Sequence, residues 1–141
     1  MAHDWWTCPT ESLDGRLIMV SGRRDIDKYR QNPRFNIRIE IAWRYDSADM
    51  PDEPTAIIME QATEALNAVL DADPVAVMTG IYTGAGERTW VFYTLSTHIF
   101  QKKLNEALAD LPLLPLVISA ENDPTWAEYD EMRELSEISP E

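Results

Sequence analysis

Residues 35–45 read FNIRIEIAWRY, and this stretch decides the fold class. Apolar side chains stand at every second position, at Phe35, Ile37, Ile39, Ile41, Trp43 and Tyr45. A period of two predicts a β-strand whose two faces meet different surroundings. Arg38, Glu40 and Arg44 belong to the other face, so we expect them to point away from the apolar core.

A helix and a hairpin are predicted after this strand. Asp52 and Pro54 suit a helix entrance, and an apolar stripe continues to about Ala72. Residues 75–83 and 88–95 are rich in β-branched and aromatic side chains and are separated by a glycine-containing turn. This pattern is typical of two strands joined as a hairpin.

A second helix, a strand and a short final helix complete the pattern. Ser96 or Thr97 offers a cap, and apolar positions at helical spacing continue until Pro112. Residues 114–120 predict the closing strand, and Asp123 caps the last helix. The side chains expected to face inward from that helix are Trp126, Tyr129 and Met132.

The N-terminal third contains a hairpin signal and an irregular segment. The pair Asp14–Gly15 lies between two apolar segments within residues 5–20, which predicts a β-hairpin. Residues 21–33 are polar and Arg-rich without a clear period, so we expect a loop that is mobile at its tip.

This order predicts a single α+β domain over residues 1–141. Its core is expected to be a ferredoxin-like β-α-β-β-α-β sandwich with an N-terminal β-hairpin and a short C-terminal helix. Right-handed connections would pack both long helices on one side of a largely antiparallel sheet. The opposite face is then expected to be open, and broader still if the N-terminal strands extend the sheet.

Composition narrows the classes of partner. The formal net charge of −13 repels phosphate backbones, so we expect no nucleic-acid partner. The single cysteine, Cys8, excludes an internal disulfide and fits a reducing compartment. The absence of a leader-like N-terminus or a long apolar run predicts a cytoplasmic protein without a membrane partner, either a monomer or a homodimer.

Several residues together resemble a bacterial family of unknown function, DUF695. They are Gly80, Thr83, Gly86, Arg88, the run WVFY at 90–93, and the later Asp123, Pro124, Trp126 and Tyr129. Some members of that family are joined to a domain similar to the protein inhibitors that regulate ribonuclease E. The resemblance therefore implies a regulatory or binding role more than catalysis, and it supplies no catalytic residues.

The segment with Asp123, Trp126 and Tyr129 has two interpretations. Trp and Tyr are favoured at interfaces, so the three residues could form a recognition corner. The alternative, which we favour, is structural: Asp123 caps the helix while the two aromatic side chains hold it to the sheet.

Other candidate motifs are weak. The glycine turn at 84–87 is followed by a strand, whereas a phosphate loop requires a helix there. His3, His98 and Cys8 have no spacing suited to zinc, and nothing in the sequence pairs Cys8 with a base. We therefore expect no cofactor, no metal and no catalytic set.

Two functional hypotheses remain open. The first is a noncatalytic protein-interaction or regulatory module. Its possible interaction surface comprises Arg38, Glu40, Arg44, Tyr93, Arg23, Arg24 and Arg30. The alternative is a small-molecule binding protein or enzyme that uses a cleft beside the open sheet face, with Arg38, Arg44, Tyr93 or His98 as its polar groups.

Overall fold

The element boundaries follow local sequence signals. The computed structural model describes the backbone of residues 5–138 and the side chains of residues 5–134. In that part of the chain the strands are β1 Trp5–Glu11, β2 Leu17–Arg23, β3 Ile37–Arg44, β4 Ala76–Gly84, β5 Glu87–Thr94 and β6 Leu116–Asn122. The helices are α1 Asp27–Arg30, α2 Glu53–Ala72, α3 Thr97–Ala107 and α4 Ala127–Ile138.

Side-chain caps set the start of both long helices. Asp52 Oδ1 accepts a hydrogen bond from the Thr55 amide at 3.0 Å, and Ser96 Oγ accepts one from the Ile99 amide at 3.3 Å. Each bond satisfies a first-turn amide that has no partner within the helix. Of the two predicted candidates for the α3 cap, Ser96 is the one used, and the helix entrance predicted at Asp52 is confirmed.

Both predicted hairpins are present. Between β4 and β5 the turn residues Ala85 and Gly86 have φ of 53° and 86°, the left-handed pair that a two-residue turn requires. The first hairpin has a longer turn, in which the Gly15 amide donates to the Ser12 carbonyl at 3.0 Å.

The six strands form one antiparallel sheet in the order β1-β2-β4-β5-β3-β6. The predicted extension by the N-terminal hairpin is confirmed, because β2 pairs with β4. Among the described residues β1 and β6 are the two edges of the sheet. The overall class is therefore mixed α+β, with an antiparallel sheet that does not close on itself.

The first face of the sheet packs against α2 and α3. The alternating residues Ile39, Ile41 and Trp43 lie on this face and are buried together with residues of β4, β5 and both helices. Their burial on one side is what the period-two pattern of β3 predicts. This cluster is the larger of the two cores.

The second face is not left open, and here the sequence prediction is wrong over much of the sheet. A separate buried cluster covers it, formed by Trp6, Cys8, Val20, Ile26, Phe35, Val77, Tyr93, Trp126, Tyr129 and Met132. The cause is α4, whose apolar side folds back onto the strands, together with the segment around α1. The part of the second face that stays exposed is formed by β3 and β6. Arg44 and Val117 are exposed there.

The segment 21–33 also contains more regular secondary structure than predicted. Its first three residues continue β2, and a helical turn, α1, follows. Ile26 is fully buried in the second cluster, which anchors the segment to the sheet. Within the described residues, no helix combines the length and the apolar character needed to cross a bilayer.

Candidate functional site

Three of the seven residues predicted for an interaction surface are buried. Tyr93 is 0% exposed, Arg23 is 6% exposed and Arg38 is 9% exposed. Arg23 Nε donates to Asp25 Oδ1 at 2.8 Å. Arg38 Nη1 donates to Glu40 and lies 3.4 Å from Glu121 Oε1. These three side chains support the fold and offer little surface to a partner.

The other four residues do not form one patch. Arg30 makes two bonds of 2.6 Å to Asp130 and so connects α1 with α4. Glu40 and Arg44 lie on the uncovered part of the second face, with Arg44 Nε 3.2 Å from Glu87 Oε2. Arg24 lies just after β2, half-buried.

The Asp123 carboxylate ties α4 to the sheet. Its Oδ1 accepts from the Ala127 amide at 3.0 Å, and its Oδ2 accepts from the Glu128 amide at 3.1 Å and the Tyr93 hydroxyl at 2.6 Å. Burial raises the pKa of Asp123, but these bonds favour the charged form more strongly, so its pKa lies below the usual value. Burial also raises the pKa of Tyr93, which stays a neutral donor.

Trp126 and Tyr129 are equally committed to internal contacts. The Trp126 ring stacks on Tyr93 with centroids 4.0 Å apart, and its Nε1 donates to the Phe35 carbonyl at 2.8 Å. The Tyr129 hydroxyl donates to the Arg23 carbonyl. Both rings are buried, so their polar atoms are used within the fold.

The polar groups of the small-molecule hypothesis do not converge. Arg38 and Tyr93 are neighbours across β3 and β5, whereas Arg44 lies at the opposite end of β3. His98 is exposed on α3, which packs against the first face. Because Ile26 and Phe35 pack against the second face, the cleft expected beside residues 21–33 is filled.

The candidate metal ligands stay apart in the part of the chain that the structure describes. No three His, Cys, Asp or Glu side chains converge on a point there. Cys8 is buried, and burial raises the pKa of its thiol, which disfavours the nucleophilic thiolate. His3 lies outside the described residues.

The closing strand predicted at 114–120 is confirmed as β6, but sequence reasoning missed its exposed edge and the groove beside it. Two connected hollows of about 260 and about 370 Å³ run between α3 and β6, and both are lined by Leu104 and Ile118. Phe100, Leu108 and Leu116 extend the apolar lining. Strand order places this edge at the surface, and strand order is not a local sequence property.

The comparisons with known proteins identify the family. A family model described as a family of unknown function, DUF695, matches residues 4–132, nearly the whole chain. This chain belongs to DUF695. No curated protein and no solved structure matches it.

The residues that first pointed to DUF695 have clear structural roles in this chain. Arg88 Nε donates to Thr83 Oγ1 at 2.8 Å across the β4–β5 hairpin. A Cβ on Gly80 would lie 2.5 Å from Met132 Sδ, so glycine makes room for α4. The residues of the DUF695 motifs therefore stabilise the β4–β5 hairpin and allow α4 to pack against it.

Proposed function

We propose that this chain is a noncatalytic protein-interaction module that binds an extended segment of a basic partner protein along β6. The observation that carries the proposal is an edge strand beside an apolar groove. Extended peptides commonly add to such edges, with main-chain bonds giving affinity and side-chain pockets giving specificity. A regulatory role, which the domains joined to some family members imply, is compatible with this mode of binding.

The backbone of β6 is suited to strand addition. The Asp123 amide donates to the Asn36 carbonyl at 2.8 Å. With the register of the ladder, this bond determines which backbone groups of β6 point toward β3. By alternation, the amides and carbonyls of Ile118, Ala120 and Asn122 point outward. Among the described residues β6 pairs only with β3, so these outward amides and carbonyls are not paired with another strand.

The first five residues of β6, 116–120, lack the charges that usually protect an edge strand. Natural edges carry charges that prevent pairing with other chains. Residues 113–120 read LLPLVISA and contain no charge. Val117 is 70% exposed and Ile118 is 47% exposed, which is unusual for large apolar side chains on a free strand.

The charge of the molecule favours a basic partner. With a formal net charge of −13, an acidic partner or a second copy meets long-range repulsion. Glu121, Glu40 and Glu128 lie near the end of β6 and can attract Lys or Arg flanking the bound segment. Binding is therefore expected to weaken as salt increases.

Photo-crosslinking in the host cell tests this proposal. A crosslinking amino acid at position 118 should capture a specific protein, which is then purified and titrated against the chain. Ile118→Lys should weaken that binding by at least about tenfold. The matched control is Ile57→Lys on α2, because Ile57 is 52% exposed and Ile118 47%.

A backbone variant sharpens the test. Ala120→Pro removes one outward amide without breaking the ladder to β3, so it should weaken binding while the chain remains folded. Equal affinity in both variants and wild type would overturn strand addition. Crosslinks from position 118 only to a second copy of the chain would replace the proposed partner with a homodimer.

We also propose that residues 37–122 form a ferredoxin-like unit in a cytoplasmic protein. The order β4-β5-β3-β6 with α2 and α3 on one face supports the topology. The buried free thiol of Cys8 supports a reducing compartment.

A further inference from the structure

A second cleft lies on the first face, far from β6. It has a volume of about 330 Å³, a size suited to a small molecule. The N-terminal hairpin and β4 supply its apolar part, at Trp5, Met19 and Ile81, and α2 supplies Glu60 and Asn67. Because β1 and β6 are opposite edges of the sheet, this cleft is independent of the proposed partner site.

Arg88 is held rigidly in the cleft. Its side chain is 11% exposed, its Nε donates to Thr83 Oγ1 at 2.8 Å, and the guanidinium lies 5.8 Å from the Trp90 ring centroid. Nη1 donates to Glu60 Oε1 at 3.1 Å. These contacts leave Nη2 without an acceptor among the described residues, so one N–H edge of the guanidinium can donate to a ligand.

Glu60 supplies the opposite charge at the same place. Its side chain is 63% exposed, and its Oε1 is bound to Arg88 while its Oε2 faces no donor in the described part of the chain. The cleft therefore presents a positive and a negative group side by side, next to apolar side chains. This arrangement matches a small molecule that carries both charges close together and an apolar tail.

We propose that this cleft binds a free α-amino acid with an apolar side chain. Its carboxylate would accept from Arg88 Nη2, its ammonium would donate to Glu60, and its side chain would lie against Met19 and Ile81. The net charge of −13 repels a simple anion, whereas a zwitterion has no net charge to repel. A plain carboxylate or a plain amine satisfies only half of the charged pair.

Titration calorimetry with L-leucine and L-methionine tests the proposal directly. We expect saturable binding of one molecule per chain. Two analogues of leucine separate the contributions: 4-methylpentanoate lacks the amino group, and 3-methylbutylamine lacks the carboxylate. Each should bind at least about tenfold more weakly, because each loses one charge-assisted hydrogen bond.

Variants assign the charges. Glu60→Gln, at an exposed position, should weaken L-leucine at least about tenfold and should not weaken 4-methylpentanoate, because the neutral amide no longer repels a carboxylate beside Arg88. Arg88→Gln should weaken both, and Arg44→Gln on the other face, which removes the same charge at an exposed position, should change neither. The proposal is overturned if no apolar amino acid binds below about 10 mM, or if Glu60→Gln has no effect on L-leucine.

Discussion

At the residue scale, one buried carboxylate decides how α4 is held. Asp123 accepts three hydrogen bonds at the junction of Tyr93 and the first turn of α4. Asp123→Ala should reduce the free energy of unfolding by about 2–4 kcal/mol, because it removes the cap and leaves the Tyr93 hydroxyl unsatisfied. Urea denaturation measures this, and a loss below about 0.5 kcal/mol would contradict it.

The same carboxylate contributes to pH dependence. Its pKa is lower in the folded chain than the unfolded value of about 3.9. Its stabilisation is therefore fully present above pH ~4 and is lost as the pH falls through the folded pKa. Asp123→Asn should show a shallower loss of stability below pH ~4 than wild type, as urea denaturation at several pH values can measure, and an unchanged slope would contradict this.

Two glycines separate steric from conformational cost. Gly84 has φ of +147°, and a Cβ there would lie 2.1 Å from the Leu17 carbonyl oxygen. Gly15 has φ of +84° with no atom within 4 Å of such a Cβ. Gly84→Ala should cost about 3 kcal/mol and Gly15→Ala about 1 kcal/mol in the free energy of unfolding. Equal losses of unfolding free energy in the two variants would show that β2 can shift away from the added Cβ at little cost.

At the element scale, apolar burial holds α4 to the sheet more than its ion pair does. Met132 is buried against Gly80, whereas the Arg30 and Asp130 side chains are 37% and 50% exposed. Met132→Ala should cost about 2–4 kcal/mol and Asp130→Ala about 1 kcal/mol or less. Chemical denaturation of the two variants checks the order, and the reverse order would contradict it.

Local patterns predicted the elements well, and the reasons are visible in particular residues. The alternation of β3, the caps Asp52 and Ser96, and the inward side of α4 all depend on near neighbours in sequence. The pattern of α4 showed an apolar side at Trp126 but not which surface would receive it. That surface exists only after β2 pairs with β4, which brings Gly22 opposite Gly80.

The candidate site was less predictable for the same reason. Arg38 and Tyr93 lie on a strand side that was expected to face solvent, and Arg23 was expected in a loop, yet all three side chains are buried. The apolar run at 113–120 was a visible signal, but it predicts a buried strand equally well. Only the strand order shows that β6 is an edge.

At the scale of the whole molecule, an acidic body carries an edge strand that is uncharged over residues 116–120. A formal net charge of −13 contrasts with the uncharged run at 113–120. The net charge of the molecule should therefore make the binding of a basic partner depend on salt. The edge strand β6 determines where the partner binds. Raising the salt concentration from about 0.05 to 0.5 M should slow association more than it speeds dissociation, as stopped-flow kinetics can measure. A salt-independent association rate would argue against a basic partner.

Amide hydrogen exchange tests strand addition most directly. It is measured on the free chain and on the chain bound to the partner that crosslinking identifies. In the free chain the amides of Ile118, Ala120 and Asn122 should exchange quickly, because they point away from β3. With the purified partner bound, these three amides should become strongly protected, while the amide of Ile57 is unchanged. Protection confined to the second face, with the three β6 amides still exchanging quickly, would contradict the proposed binding mode.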